Sequence, residues 1–102
     1  MSNIDGIWDC MVTTPMGKEP NELTLHAAPD GSFAGTMKNL KDGQILEMLQ
    51  GRFDGKLMSW TINLVKPFKV TVKCEVQVEG QSFSGHGSAI MGKIPMTGVK
   101  RA

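Results

Sequence analysis

Turn signals punctuate this 102-residue chain at short, even intervals, and no other feature constrains its fold as tightly. Pro15-Met16-Gly17, Pro29-Asp30-Gly31, Lys41-Asp42-Gly43, Asp54-Gly55, Lys66-Pro67, Glu79-Gly80 and Met91-Gly92 leave intervals of about ten to twelve residues. Asp-Gly supplies the positive φ angles that tight hairpin turns require. The intervals are rich in β-formers and carry no apolar stripe of 3.6-residue period long enough for a helix. Eight strands are expected, over 5–14, 21–28, 32–39, 44–53, 57–65, 68–78, 81–89 and 93–100. Every connection is hairpin-length, so the strands should follow one another as a meander. The reading is an all-β, single-domain chain over 1–102, a small up-and-down antiparallel barrel.

Alternation within the strands assigns faces. Trp60, Ile62 and Leu64 share one side of their strand, and Ser59, Thr61 and Asn63 the other. Val70, Val72, Cys74, Val76 and Val78 oppose Lys69, Thr71, Lys73, Glu75 and Gln77. One buried and one wetted face is what an antiparallel sheet over a single core requires. The chain also repeats itself weakly, at an offset near 49 residues. Asp5-Gly6 and Trp8 find counterparts in Asp54-Gly55 and Trp60, and Leu23-Thr24-Leu25 in Val70-Thr71-Val72. Asp30-Gly31-Ser32-Phe33-Ala34-Gly35 echoes Glu79-Gly80-Gln81-Ser82-Phe83-Ser84-Gly85, and Gly43 and Ile45 match Gly92 and Ile94. The order implies a duplicated four-stranded unit, whose exposed edges would be removed by closure into one barrel.

Charge argues against a nucleic-acid partner. Eleven Lys/Arg against ten Asp/Glu give a net charge of +1, with the basic residues scattered. No apolar run reaches the roughly 18 residues of a helical membrane span, and the first residues lack the pattern of a signal peptide. A cytoplasmic location is the expectation. Cys10 and Cys74 form no CxxC pair, so two buried free thiols are expected rather than a disulfide framework or zinc site. His26 and His86 fall on outward positions of separate strands, and no metal-binding, cofactor or hydrolase motif appears.

Gly6-x-Trp8 on the first strand resembles the opening of lipocalin-like and streptavidin-like barrels, the calycins. Thr14-Pro15-Met16-Gly17, followed by Leu23-Thr24-Leu25 and Asp30-Gly31-Ser32-Phe33-x-Gly35, is similar to a pattern of uncharacterised bacterial barrel domains. The calycin resemblance implies a small apolar molecule held inside the barrel, and a few calycins are enzymes. The chain is shorter than a typical lipocalin and lacks the usual C-terminal helix.

The expected lining of such a cavity is Trp8, Cys10, Met37, Leu49, Trp60, Ile62, Val72 and Met96. The fourth strand, Gln44-Ile45-Leu46-Glu47-Met48-Leu49-Gln50-Gly51, is apolar on both faces and admits two registers. The repeat sets Ile45 with Ile94 and Glu47 with Met96, which places one carboxylate inside. A desolvated Glu47 would suit general acid/base catalysis, as in an isomerase, cyclase or lyase. Leu46 and Met48 would then join Ile7 and Met11 in an outer apolar patch fit for a homodimer. A one-residue slip reverses both statements, sending Glu47 to the surface and Leu46 and Met48 to the core. The leading expectation is binding of a small apolar or aromatic molecule. An enzyme working through Glu47 and an assembly domain with a filled interior are the alternatives.

Overall fold

The computed structural model describes residues 4–65, 69–90 and 92–101. Eight strands follow one another in chain order: β1 (Gly6–Thr14), β2 (Gly17–Ala27), β3 (Ser32–Asn39), β4 (Ile45–Phe53), β5 (Leu57–Leu64), β6 (Val70–Glu79), β7 (Ser82–Ala89) and β8 (Gly92–Lys100). Each pairs antiparallel with the next, and β1 closes on β8 from Trp8↔Lys100 to Val12↔Met96. The result is a closed up-and-down barrel with every sheet edge paired, as the meander of short strands requires. The expected turn at Lys66-Pro67, the start of the sixth strand at residue 68 and Met91 of the last turn lie outside the described residues.

Aspartates build the turns. Asp30 Oδ1 accepts hydrogen bonds from the Ser32 N–H at 2.9 Å and the Ser32 hydroxyl at 2.6 Å. Asp54 Oδ1 accepts from the N–H groups of Lys56 at 2.9 Å and Leu57 at 2.8 Å. After β8, Arg101 ties the chain end back to the barrel wall. Its N–H donates to the Ile7 carbonyl at 2.8 Å, and its guanidinium bridges Asp9 and Glu22. These bonds favour the charged carboxylates. Ser32 holds the Asp30 carboxyl below the usual range, Leu57 and Lys56 do so for Asp54, and Arg101 for Asp9. A depressed folded-state pKa adds stability that is complete above the unfolded value and is lost as pH falls through the folded one. The acid limb of the stability curve should therefore begin below about pH 4. Carboxyl ¹³C titration should place all three aspartates below the unperturbed value, and Arg101→Ala should return Asp9 alone to it.

Two strands depart from the sequence reading. β2 starts at Gly17 rather than at 21 and runs through Pro20, which pairs with Met11. Pro20 has no N–H to donate, but its carbonyl accepts the Leu40 N–H at 2.9 Å, so the chain stays bonded there. In β4, Met48 pairs with Gly35 and Gly51 with Phe33, which leaves one extra residue on β4. That bulge is built at Gln50, the one non-glycine residue of positive φ (54°) among those described.

The faces of β4 follow. Leu46 pairs with the buried Met37 and Met48 is 3% exposed, while Glu47 pairs with Thr36 on the exposed outer wall. The inward placement of Glu47 is thus overturned, and with it the outer apolar patch that needed Leu46 and Met48. The cause is loop length. Met37 pairs with Leu46, but its repeat equivalent Gly87 pairs with Ile94, so the β3–β4 connection is two residues longer than β7–β8. Leu46 and Met48, not Ile45 and Glu47, correspond to Ile94 and Met96.

One half of the barrel is filled by aromatic rings. Trp8 stacks at a tilt on Phe83 with centroids 5.3 Å apart. Trp60 meets Phe33 at 6.4 Å and Phe83 at 6.5 Å, both edge-on. The rings need bare backbone beneath them. Phe83 lies over its cross-strand partner Gly98, where a Cβ would come within 2.3 Å of the ring, and Phe33 covers Gly51 in the same way. Ile4 closes this end, and its carbonyl accepts the Trp8 indole N–H at 2.9 Å. The two halves of the sequence repeat therefore supply one Trp, one Phe and one Gly each to a single plug.

Candidate functional site

The opposite half narrows to smaller side chains and stays open. Val12, Met37, Leu46, Ile62, Leu64, Val72, Ile94 and Met96 form an apolar floor and wall, and Thr14, Glu19, Asn21, Asn39 and Gln44 form the rim. Together they enclose a pocket of about 100 Å³. Larger depressions occur, but they are open surface on the outer wall or at the plugged end, bounded by residues such as Asp30, Arg52 and Lys73. The mouth pocket enters the barrel.

Cross-strand pairing brings the rim together. Glu19 sits opposite the buried Val12, and Asn21 lies between Cys10 on β1 and Asn39 on β3. These residues continue the inward alternation of Leu23 and Leu25 to the barrel end. Glu19 is fixed by its neighbours: Asn39 Nδ2 donates to Glu19 Oε1 at 2.8 Å, and Asn21 Nδ2 donates to the Glu19 carbonyl at 3.1 Å. Asn39 is itself fixed, since its Oδ1 accepts the Lys41 N–H at 2.8 Å and so shapes the β3–β4 turn. Gln44 Oε1 is buried and meets no donor among the described residues.

The eight expected lining residues divide. Met37, Ile62, Val72 and Met96 line the pocket. Trp8 and Trp60 are buried in the plug, and the Trp60 indole nitrogen is without an acceptor among the described residues. Cys10 is buried in the wall but does not line the pocket, and Leu49 is half-buried beside the Gln50 bulge, paired with Thr61. Leu49 is turned away from the interior by the same register that puts Glu47 on the outer wall. With Glu47 exposed, the burial on which its acid/base role rested is absent. The carboxylate that does face the interior is Glu19. Extending the alternation Glu19-x-Asn21-x-Leu23-x-Leu25 across Pro20 would have found it.

Cys10 and Cys74 are free and buried, and burial pushes each thiol up to about 12. Both should resist a disulfide-exchange reagent at pH 8 in the folded protein and react within the mixing time after denaturation. Rapid native-state labelling of either would show that the wall opens locally.

No protein family and no curated protein matches this chain. Solved structures do. The chain is similar to a redesigned beta barrel, b11L5F_LGL, with a TM-score of 0.77 at 13% identity, covering 97% of this chain and 92% of that one. It is also similar to a second redesigned beta barrel, mFAP1, bound to DFHBI, with a TM-score of 0.68 at 11% identity, covering 96% and 94%. At these identities the likeness is one of fold. It agrees with the small closed barrel that the sequence resemblance implied and adds nothing specific to calycins.

Proposed function

We propose that this protein binds a small, largely apolar molecule in the open half of its barrel. The observation that carries the reading is the asymmetry of the interior: aromatic rings fill one half, while the other ends in a pocket with an apolar floor and a polar rim. Binding pockets commonly combine an apolar lining with a few fixed polar groups. A pocket of about 100 Å³ suits a ligand with one ring or a short branched chain. Apolar cavities on the order of 150 Å³ accept benzene. Met37, Met96 and the neighbouring Leu46 can change rotamer to admit somewhat more. That mFAP1 holds DFHBI supports the premise that a closed barrel of this fold has room for a small molecule. An assembly domain would have no need of the gap at the mouth.

Native mass spectrometry of protein gently purified from its own host tests the reading, with Met96→Trp as the filled-pocket control. Wild-type protein should carry an adduct that dissociates on denaturation, and Met96→Trp of unchanged circular dichroism should not. The same adduct on both would place the ligand elsewhere. A bare wild-type mass, joined to failure of single-ring compounds to bind at millimolar concentration, would overturn the reading.

A further inference from the structure

The rim has more to say about its ligand than the floor does. Three of its side chains already engage a donor hydrogen within the rim. Thr14 Oγ1 donates to the Gly17 carbonyl at 2.8 Å, Asn21 Nδ2 to the Glu19 carbonyl, and Asn39 Nδ2 to the Glu19 carboxylate. Two of its acceptors have capacity left. Among the described residues Gln44 Oε1 is buried without a donor, and a carboxylate with about four acceptor sites receives one hydrogen bond at Glu19. Among the described residues no Lys, Arg or His lines the pocket, and Glu19 is the one charged side chain that does. Neither ion pair among the described residues involves it.

A buried acceptor without a donor is costly, and a carboxylate at an apolar mouth attracts a cation. We infer that the pocket takes a small primary amine, with its ammonium group between Glu19 and Gln44 and its hydrocarbon portion on Met37, Met96, Ile62 and Val72. The inference rests on the mouth being a binding site and names the class of molecule that fits it. An ammonium has three donors and a positive charge, which matches one neutral acceptor beside one anionic acceptor. A hydroxyl of the same shape would supply one donor and no charge. A carboxylate would set like charges together at Glu19.

Three molecules of nearly one shape separate these cases: benzylamine, benzyl alcohol and benzoate, each titrated at pH 7 into the full chain and followed by NMR. Benzylamine should bind about tenfold more tightly than benzyl alcohol, in line with a charge-assisted hydrogen bond, and benzoate should bind least. Glu19→Gln should remove the advantage of benzylamine over benzyl alcohol, bringing the two affinities together. If that variant does not fold, raising salt on the wild type should weaken the amine and spare the alcohol. Equal affinity of benzylamine and benzyl alcohol for the mouth would overturn the amine inference and leave the binding site standing. If none of the three perturbs Met37 or Met96, the binding site itself falls.

Discussion

Trp8→Ala is expected to destabilise the barrel by about 3–5 kcal/mol, the usual cost of deleting a large aromatic from a core. Trp8 is fully buried, so its removal leaves a void against Phe83 that the closed sheet has little freedom to collapse around. It also removes the hydrogen bond that the indole N–H donates to the Ile4 carbonyl. A domain of this size is stable by roughly 5–15 kcal/mol, so the variant should be close to half unfolded or have a much lower urea midpoint. Trp8→Phe keeps most of the ring contact and should lose clearly less. A loss under about 1 kcal/mol for Trp8→Ala, read by urea denaturation, would mean that the plug does not organise the core.

The second large effect is expected at Gly85. A Cβ there would lie 2.2 Å from the Glu75 carbonyl oxygen and 2.6 Å from the Val76 Cα. Both are backbone atoms of the paired strand β6, so relief requires the β6–β7 ladder to move. Gly85→Ala should therefore cost about 3 kcal/mol, at the upper end for overpacking. Gly87 lies two residues along the same strand and provides the control. A Cβ at Gly87 meets the Val72 Cγ1 methyl at 2.8 Å, a side chain that can rotate away, so Gly87→Ala should cost distinctly less. Gly35, the repeat equivalent of Gly85, makes the same approach at 2.1 Å to the Thr24 carbonyl oxygen. Equal and small losses at 85 and 87 would show that the strands have more room than this geometry allows.

Much of this architecture was legible in the chain because two signals agreed. Turn residues set the strand lengths, and the alternation of β6, from Val70 to Val78 against Lys69 to Gln77, allowed one choice of inward face. The repeat was informative where a distinctive side chain anchors it: Phe33 and Phe83 do take equivalent places, as do Trp8 and Trp60. It misled where no such anchor exists. Residues 44–51 are apolar on both faces, so their own pattern could not choose a register, and the offset borrowed from Gly43 and Gly92 ignored the longer β3–β4 connection. The bulge at Gln50 then turns Gly51 back to the interior, against Phe33. Bulges leave little local trace unless a glycine marks them, and here the glycine follows the bulged residue.

The site was read less well than the fold for a related reason. Pro20 reads as the end of a loop, so the sequence alone gives the segment before it, Glu19 included, no face. The tryptophans illustrate a different limit. Alternation shows that Trp8 and Trp60 point inward, but whether a ring fills the interior or lines a space depends on what stands across from it. Phe33 and Phe83, lying over Gly51 and Gly98, complete the plug and displace the cavity to the other end. That is a property of packing between distant strands, which periodicity along one strand does not encode.

The claim that the barrel is plugged at one end and open at the other can be read directly from its methionines. With the methyl groups labelled with ¹³C, benzyl alcohol titrated to millimolar concentration should shift Met37 and Met96, which line the mouth. Met58, fully buried and paired with Val76 and Phe53 in the plugged half, and Met16, 89% exposed in the β1–β2 turn, should stay in place. Shifts confined to Met11 on the outer wall, or an unmoved spectrum at every methionine, would contradict the account.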